Sequence, residues 1–104
     1  MVRYDASEKV GELGYLRLRG ELVGDVTLHE FRRALETHYV DDGVTEIRVD
    51  LSGVTEISLE GVGILLQLQR ESRERNKRFA VEGERDQVRE KLEVTGTLPW
   101  LSAA

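Results

Sequence analysis

The side chains best suited to chemistry in this 104-residue chain are few, and their spacing favours binding over catalysis. Ser58 is the most suggestive, set between Glu56 and Glu60 and just ahead of Gly61-Val62-Gly63. A serine becomes a nucleophile when a base lies within hydrogen-bond reach, and nothing in the sequence brings a histidine to this one. His29 and His38 are nine residues apart on one predicted helix; at about 100° per residue they face opposite ways and do not share a metal by themselves. His38, near the helix end, is expected to be a dipole partner or a surface residue. Without cysteine no zinc constellation is in view. Asp50, Glu56 and Glu60 are either a weak cation site around Ser58 or solvated loop charges. Gly61-Val62-Gly63 is not a dinucleotide fingerprint, because Leu66 stands where the third glycine would be. No catalytic residue, cofactor-binding residue or metal ligand is assigned.

The elements that must position Ser58 follow from two periods. Tyr15 to Arg19, Glu46 to Leu51 and Arg78 to Glu82 alternate apolar and polar, as half-buried strands do. A weaker strand is expected around Val2 and Tyr4, joined to the next by a tight connection between Gly11 and Gly14. Alternation rather than continuous apolar runs predicts helices mainly on one face, with Arg17, Arg19, Glu46 and Arg48 on the other. Three helices are predicted. The first spans 27–40, capped by Asp25 or Thr27, with Leu28, Phe31, Leu35 and Tyr39 on one stripe. The second spans 59–75 and is deeply packed through Val62, Ile64, Leu65, Leu66 and Leu68, with Glu71 and Arg75 in the favourable order for a pair. The third spans 85–94 and is stopped by Gly96 and Pro99. The order ββαβαβα and right-handed crossovers predict a mixed α/β sheet of four to five strands.

In this frame the segment 49–66 reads as a strand, a short loop and the start of a buried helix. A helix N-terminus there offers free backbone N–H groups and a positive dipole end, which suit an anion, a phosphate or a partner's carboxylate. Ser58 would also serve as the helix cap.

Composition sets the outer limits. One domain is expected over 1–101, with 102–104 as a tail. At 39% hydrophobic and 34% charged the chain has enough apolar residues for a core. The absence of cysteine suits a reducing compartment, and no apolar stretch suggests a signal peptide or a membrane span, so a cytoplasmic protein without membrane insertion is expected. The net charge of −5 argues against a nucleic-acid partner. The basic run 70–78, interrupted by Glu71 and Glu74, is read as a solvated helix end.

The segment Asp50-Leu51-Ser52-Gly53-Val54, followed after a short link by Gly61-Val62-Gly63 and an apolar helix, resembles the signature of STAS domains, the fold of bacterial anti-sigma factor antagonists. Gly20-Glu21-Leu22 and Glu90 to Gly96 agree with further family segments. The resemblance covers about Tyr4 to Trp100 and implies a non-enzymatic interaction module. Such a module binds an anti-sigma factor, often itself a serine kinase, and is controlled by phosphorylation of the first Ser in Asp-Ser-Ser-Gly. With Gly61 fixing the register, Leu59 occupies the acceptor position, Ser58 the Asp position and Glu60 the second Ser position. Ser58 is then a displaced phosphoacceptor or only the cap, or Glu60 imitates a phosphate. The partner surface is expected to comprise Asp25, Ser52, Thr55, Glu56, Ser58, Leu59, Glu60, Gly61 and Gly63. The alternatives are a constitutive accessory subunit of a lipid-transport ATPase, a stress-signalling scaffold and, more distantly, a small-ligand or nucleotide-binding domain; a homodimer is compatible with each.

Overall fold

The computed structural model describes residues 3–4, 8–23, 28–97 and 101. The N-terminal strand is two short strands, β1 (Arg3–Tyr4) and β2 (Glu8–Val10), which pair antiparallel to the same edge of β3 (Leu13–Leu22). Gly11, at φ 60°, takes the first position of the two-residue β2–β3 turn, where a type II′ hairpin calls for glycine. The chain continues through α1 (Leu28–Val40), β4 (Glu46–Ile57), α2 (Leu59–Glu74), β5 (Arg78–Glu82) and α3 (Asp86–Val94). The strands β3, β4 and β5 are parallel neighbours, giving a mixed five-stranded sheet. The predicted caps Asp25 and Thr27, and Pro99, lie outside the described residues.

The alternation seen in the sequence resolves into two unlike faces. Leu16, Leu18, Ile47, Val49, Leu51, Phe79 and Val81 point into one core, with Phe31 and Leu35 of α1, Val62, Leu65 and Leu68 of α2, and Val88 and Leu92 of α3. The other face is open and tiled with ion pairs: Arg17 with Glu8 (3.2 Å) and Asp50 (3.9 Å), Arg78 with Glu46 (3.4 Å), and Arg48 with Glu46 and Glu82. The exposed pair of Arg17 with Glu8 contributes about 0–1 kcal/mol; the greater effect of the charged side chains is to keep a half-covered sheet compatible with water.

Helix ends follow local rules. After α2, Asn76 at φ 59° lets Asn76 N–H reach Arg73 O (2.9 Å) and Lys77 N–H reach Ser72 O (2.9 Å). Gly96 at φ 71° does the same after α3, with Thr97 N–H on Leu92 O (2.9 Å). Both are Schellman closures.

Four expectations are corrected. The segment 52–57 is strand, not loop: β4 runs to Ile57, and β3 pairs with it through Leu22. Burial of Val54 and Ile57 draws the backbone onward, and β3 keeps its polar groups paired past two register shifts. His38 is buried rather than on the surface, at 5% exposure, because Gly14 leaves room for its ring; a Cβ there would lie 2.6 Å from His38 Cγ. Lys77, read as part of a solvated run, is buried with its ammonium on the carbonyls of Asp41 and Val44. Glu71 pairs with Arg32 of α1 (2.8 Å), while Arg75 donates to the Glu71 carbonyl and lies over the Tyr39 ring, 4.4 Å from its centroid.

Candidate partner-binding site

Three chain segments meet at the start of α2. Strands β3 and β4 end together, with Glu21 opposite Glu56 and Leu22 opposite Ile57. Ser58 N–H then donates to Leu22 O (3.0 Å), and Thr55 Oγ donates to Gly20 O (3.4 Å). The first turn of α2 packs directly on the end of β3: a Cβ at Gly61 would stand 2.3 Å from Leu22 O and 2.9 Å from Ile57 Cγ1. Glycine at 61 is therefore a requirement of the fold. Gly63 is different. It is exposed, and a Cβ there meets nothing within 4 Å.

Ser58 is the N-cap of α2, with φ −95° and ψ 174°. Its hydroxyl accepts the Gly61 N–H (3.2 Å) and its carbonyl accepts the Val62 N–H (3.0 Å). The neighbouring Glu60 backbone N–H and the Ser58 hydroxyl hold the Glu60 carboxyl below the ordinary glutamate range. The expected spot for an incoming anion is therefore partly occupied from within. The N–H groups of Gly61 and Val62 have partners, and Glu60 sets a negative charge on the positive end of the helix dipole.

The predicted surface residues do not all converge. Leu59 is 65% exposed, a large apolar side chain in water. Thr55, Glu56, Glu60 and Gly63 are exposed around it, and Ser58 is half-buried. Ser52 lies five strand residues, roughly 17 Å, from Ile57; its carbonyl accepts Arg85 Nε (2.7 Å) beside the loop leading to α3. Asp50 is farther still, accepting the Ser52 N–H (2.8 Å) on the polar sheet face. The weak cation cluster is not assembled, and among the described residues no three His, Cys, Asp or Glu side chains are grouped to hold a metal. Asp25 lies outside the described residues. Glu21 joins the patch through its register with Glu56, a pairing that sequence could have shown only if the strands had been read as extending this far. No helix among the described residues is long and apolar enough to cross a membrane.

A family model described as Mlab, STAS domain matches residues 6–97, and the chain belongs to the STAS domain family. The anti-sigma factor antagonist SpoIIAA in its unphosphorylated form superimposes with a TM-score of 0.75 at 24% identity, covering 98% of this chain and 88% of that one. An anti-sigma factor antagonist from Mycobacterium paratuberculosis gives 0.71 at 20% identity, covering 100% and 87%. The murine Solute Carrier 26 family member A9 anion transporter, in its inward-facing state, gives 0.70 at 16% identity, covering 84% of this chain and 14% of the transporter. At these identities the likeness is one of fold. No curated protein sequence matches the chain.

Proposed function

We propose that this STAS domain is a non-enzymatic, cytoplasmic interaction module, one unit over residues 1–101, that binds an anti-sigma factor of the serine-kinase type through the start of α2. The observation that carries the reading is Leu59, a solvent-exposed leucine at the acceptor position of the family signature. A phosphoserine there would bring roughly −1.5 to −2 charges to an interface; leucine has no hydroxyl to receive them. Ser58 is a poor substitute acceptor, since it is half-buried and its oxygen already accepts from Gly61. Its geometry favours the capping role and a binding surface that is permanently in its unmodified state.

The test is to mix the purified chain with each anti-sigma protein of its own genome and look for a stoichiometric complex by calorimetry and gel filtration. A complex with one of them is expected; none with any would overturn the reading. Gel filtration of the chain alone also tests for a homodimer, for which the polar sheet face is the available surface. Incubation of the complex with ATP, followed by mass spectrometry, is expected to leave Ser58 unmodified; phosphate on Ser58 would establish a displaced switch.

A second reading, a constitutive accessory subunit of a lipid-transport ATPase, is favoured by the description of the matching family model, Mlab. Co-purification with a transport ATPase in place of an anti-sigma protein would support it.

A further inference from the structure

Two features at the start of α2 have no explanation within the fold. Gly63 sits inside a helix, exposed, with open space where its Cβ would be. Glycine weakens a helix interior relative to alanine, and here no internal contact requires it. Leu59 lies one turn before it on the same face, 65% exposed. Together they form a projecting side chain next to a bare patch of backbone, the shape that admits close approach of another surface.

The charged residues next to Leu59 in the chain, Glu56 and Glu60, are both acidic. Glu56 and Glu60 are exposed beside Leu59, and Glu21 is exposed opposite Glu56. Arg19 lies against Gly53, roughly 13 Å back along β4 from Ile57. Of the helix N–H groups that would greet an anionic partner, those of Gly61 and Val62 are already bonded to Ser58, and the Glu60 carboxylate in the same first turn opposes an incoming anion.

We infer that the partner docks with a basic surface bearing an apolar recess: Leu59 fills the recess, the partner packs closely over Gly63, and Arg or Lys side chains on its rim meet Glu21, Glu56 and Glu60. This rests on the proposal that the start of α2 is the partner site, and it specifies the chemistry of the other side. Opposite charge steers encounter and fixes register, and the buried anchor at the centre carries most of the affinity.

The experiment uses the full chain and the anti-sigma protein that forms the complex. Leu59→Ala is expected to weaken binding at least tenfold. Glu56→Lys is expected to weaken it by a similar factor in 50 mM salt and by much less in 300 mM. Gly63→Ala is the discriminating variant: it should raise the melting temperature of the free domain while weakening the complex, a pairing that a purely structural glycine would not produce. Circular dichroism of each variant checks folding. A complex that forms and is indifferent to Leu59→Ala, Glu56→Lys and salt overturns this inference and leaves the proposed function standing. Failure of every anti-sigma protein to bind removes both. If Gly63→Ala destabilises the free domain, glycine 63 serves the fold and the close-approach argument falls.

Discussion

Gly61 and Gly63 are two residues apart in one motif, and the structure gives them unrelated roles. The first is wedged against Leu22 O, where even a methyl group is too close to backbone. Gly61→Ala should push α2 away from β3 and cost about 1–3 kcal/mol, the usual range for overpacking, read as a lower urea midpoint. Ser58→Ala should be milder, about 1 kcal/mol for a lost cap, and should leave partner binding within about twofold, because the hydroxyl is engaged by Gly61 N–H of its own helix. The acceptor position, the missing hydroxyl at Leu59 and the capping option at Ser58 were all readable from the motif. What could not be read was which glycine is forced by packing. That depends on how closely the end of β3 approaches, a distance set by the tertiary fold.

At the scale of elements, alternation located β3, β4 and β5, and the 3.6-residue period located all three helices to within a residue or so at each described end. The miss at 52–57 has a physical cause. Ser52 and Gly53 have loop-like composition, and the strand there is sustained by pairing with β3 rather than by propensity. Lys77 was misjudged for a related reason: sequence shows a lysine in a basic run, while the fold turns it inward to hold the loop after α1. Its ammonium donates to Asp41 O (2.8 Å) and Val44 O (2.5 Å), tying that loop to the start of β5. Lys77→Met keeps most of the buried stem and removes both bonds. Hydrogen bonds from charged groups contribute about 1.5–3 kcal/mol, so a loss of about 2 kcal/mol is expected in urea unfolding at unchanged m-value; a loss below 0.5 kcal/mol would show that water replaces the ammonium freely.

The whole molecule separates its tasks by region. One sheet face makes the core, the other is hydrated by crossed ion pairs, the end near α2 carries the exposed Leu59, and the opposite end is closed by α1, the β2–β3 hairpin and the loop 41–45. His38 is buried in that closed end against Gly14, near Asp41, Lys9 and Lys77. Burial is the largest influence on it and lowers its pKa; Asp41 acts the other way, and Lys9 and Lys77 lower it further. The unfolded chain, with an ordinary histidine near 6.5, takes up a proton more readily than the folded one. Stability from this group is therefore fully present above about pH 6.5 and is lost as pH falls from there toward the lower folded value. Asp41 behaves separately: Lys9 and the Gly43 N–H hold its carboxyl below the usual aspartate value, so its contribution is lost only in more acidic solution, below about pH 4. Urea midpoints measured between pH 7.5 and pH 5.5 should fall in the native protein. The fall should flatten in His38→Gln and persist in His29→Gln, since His29 is exposed on the opposite face of the helix. An equal slope in all three proteins would mean that His38 takes its proton without opening this end of the molecule, and that burial beneath the hairpin does not control its charge.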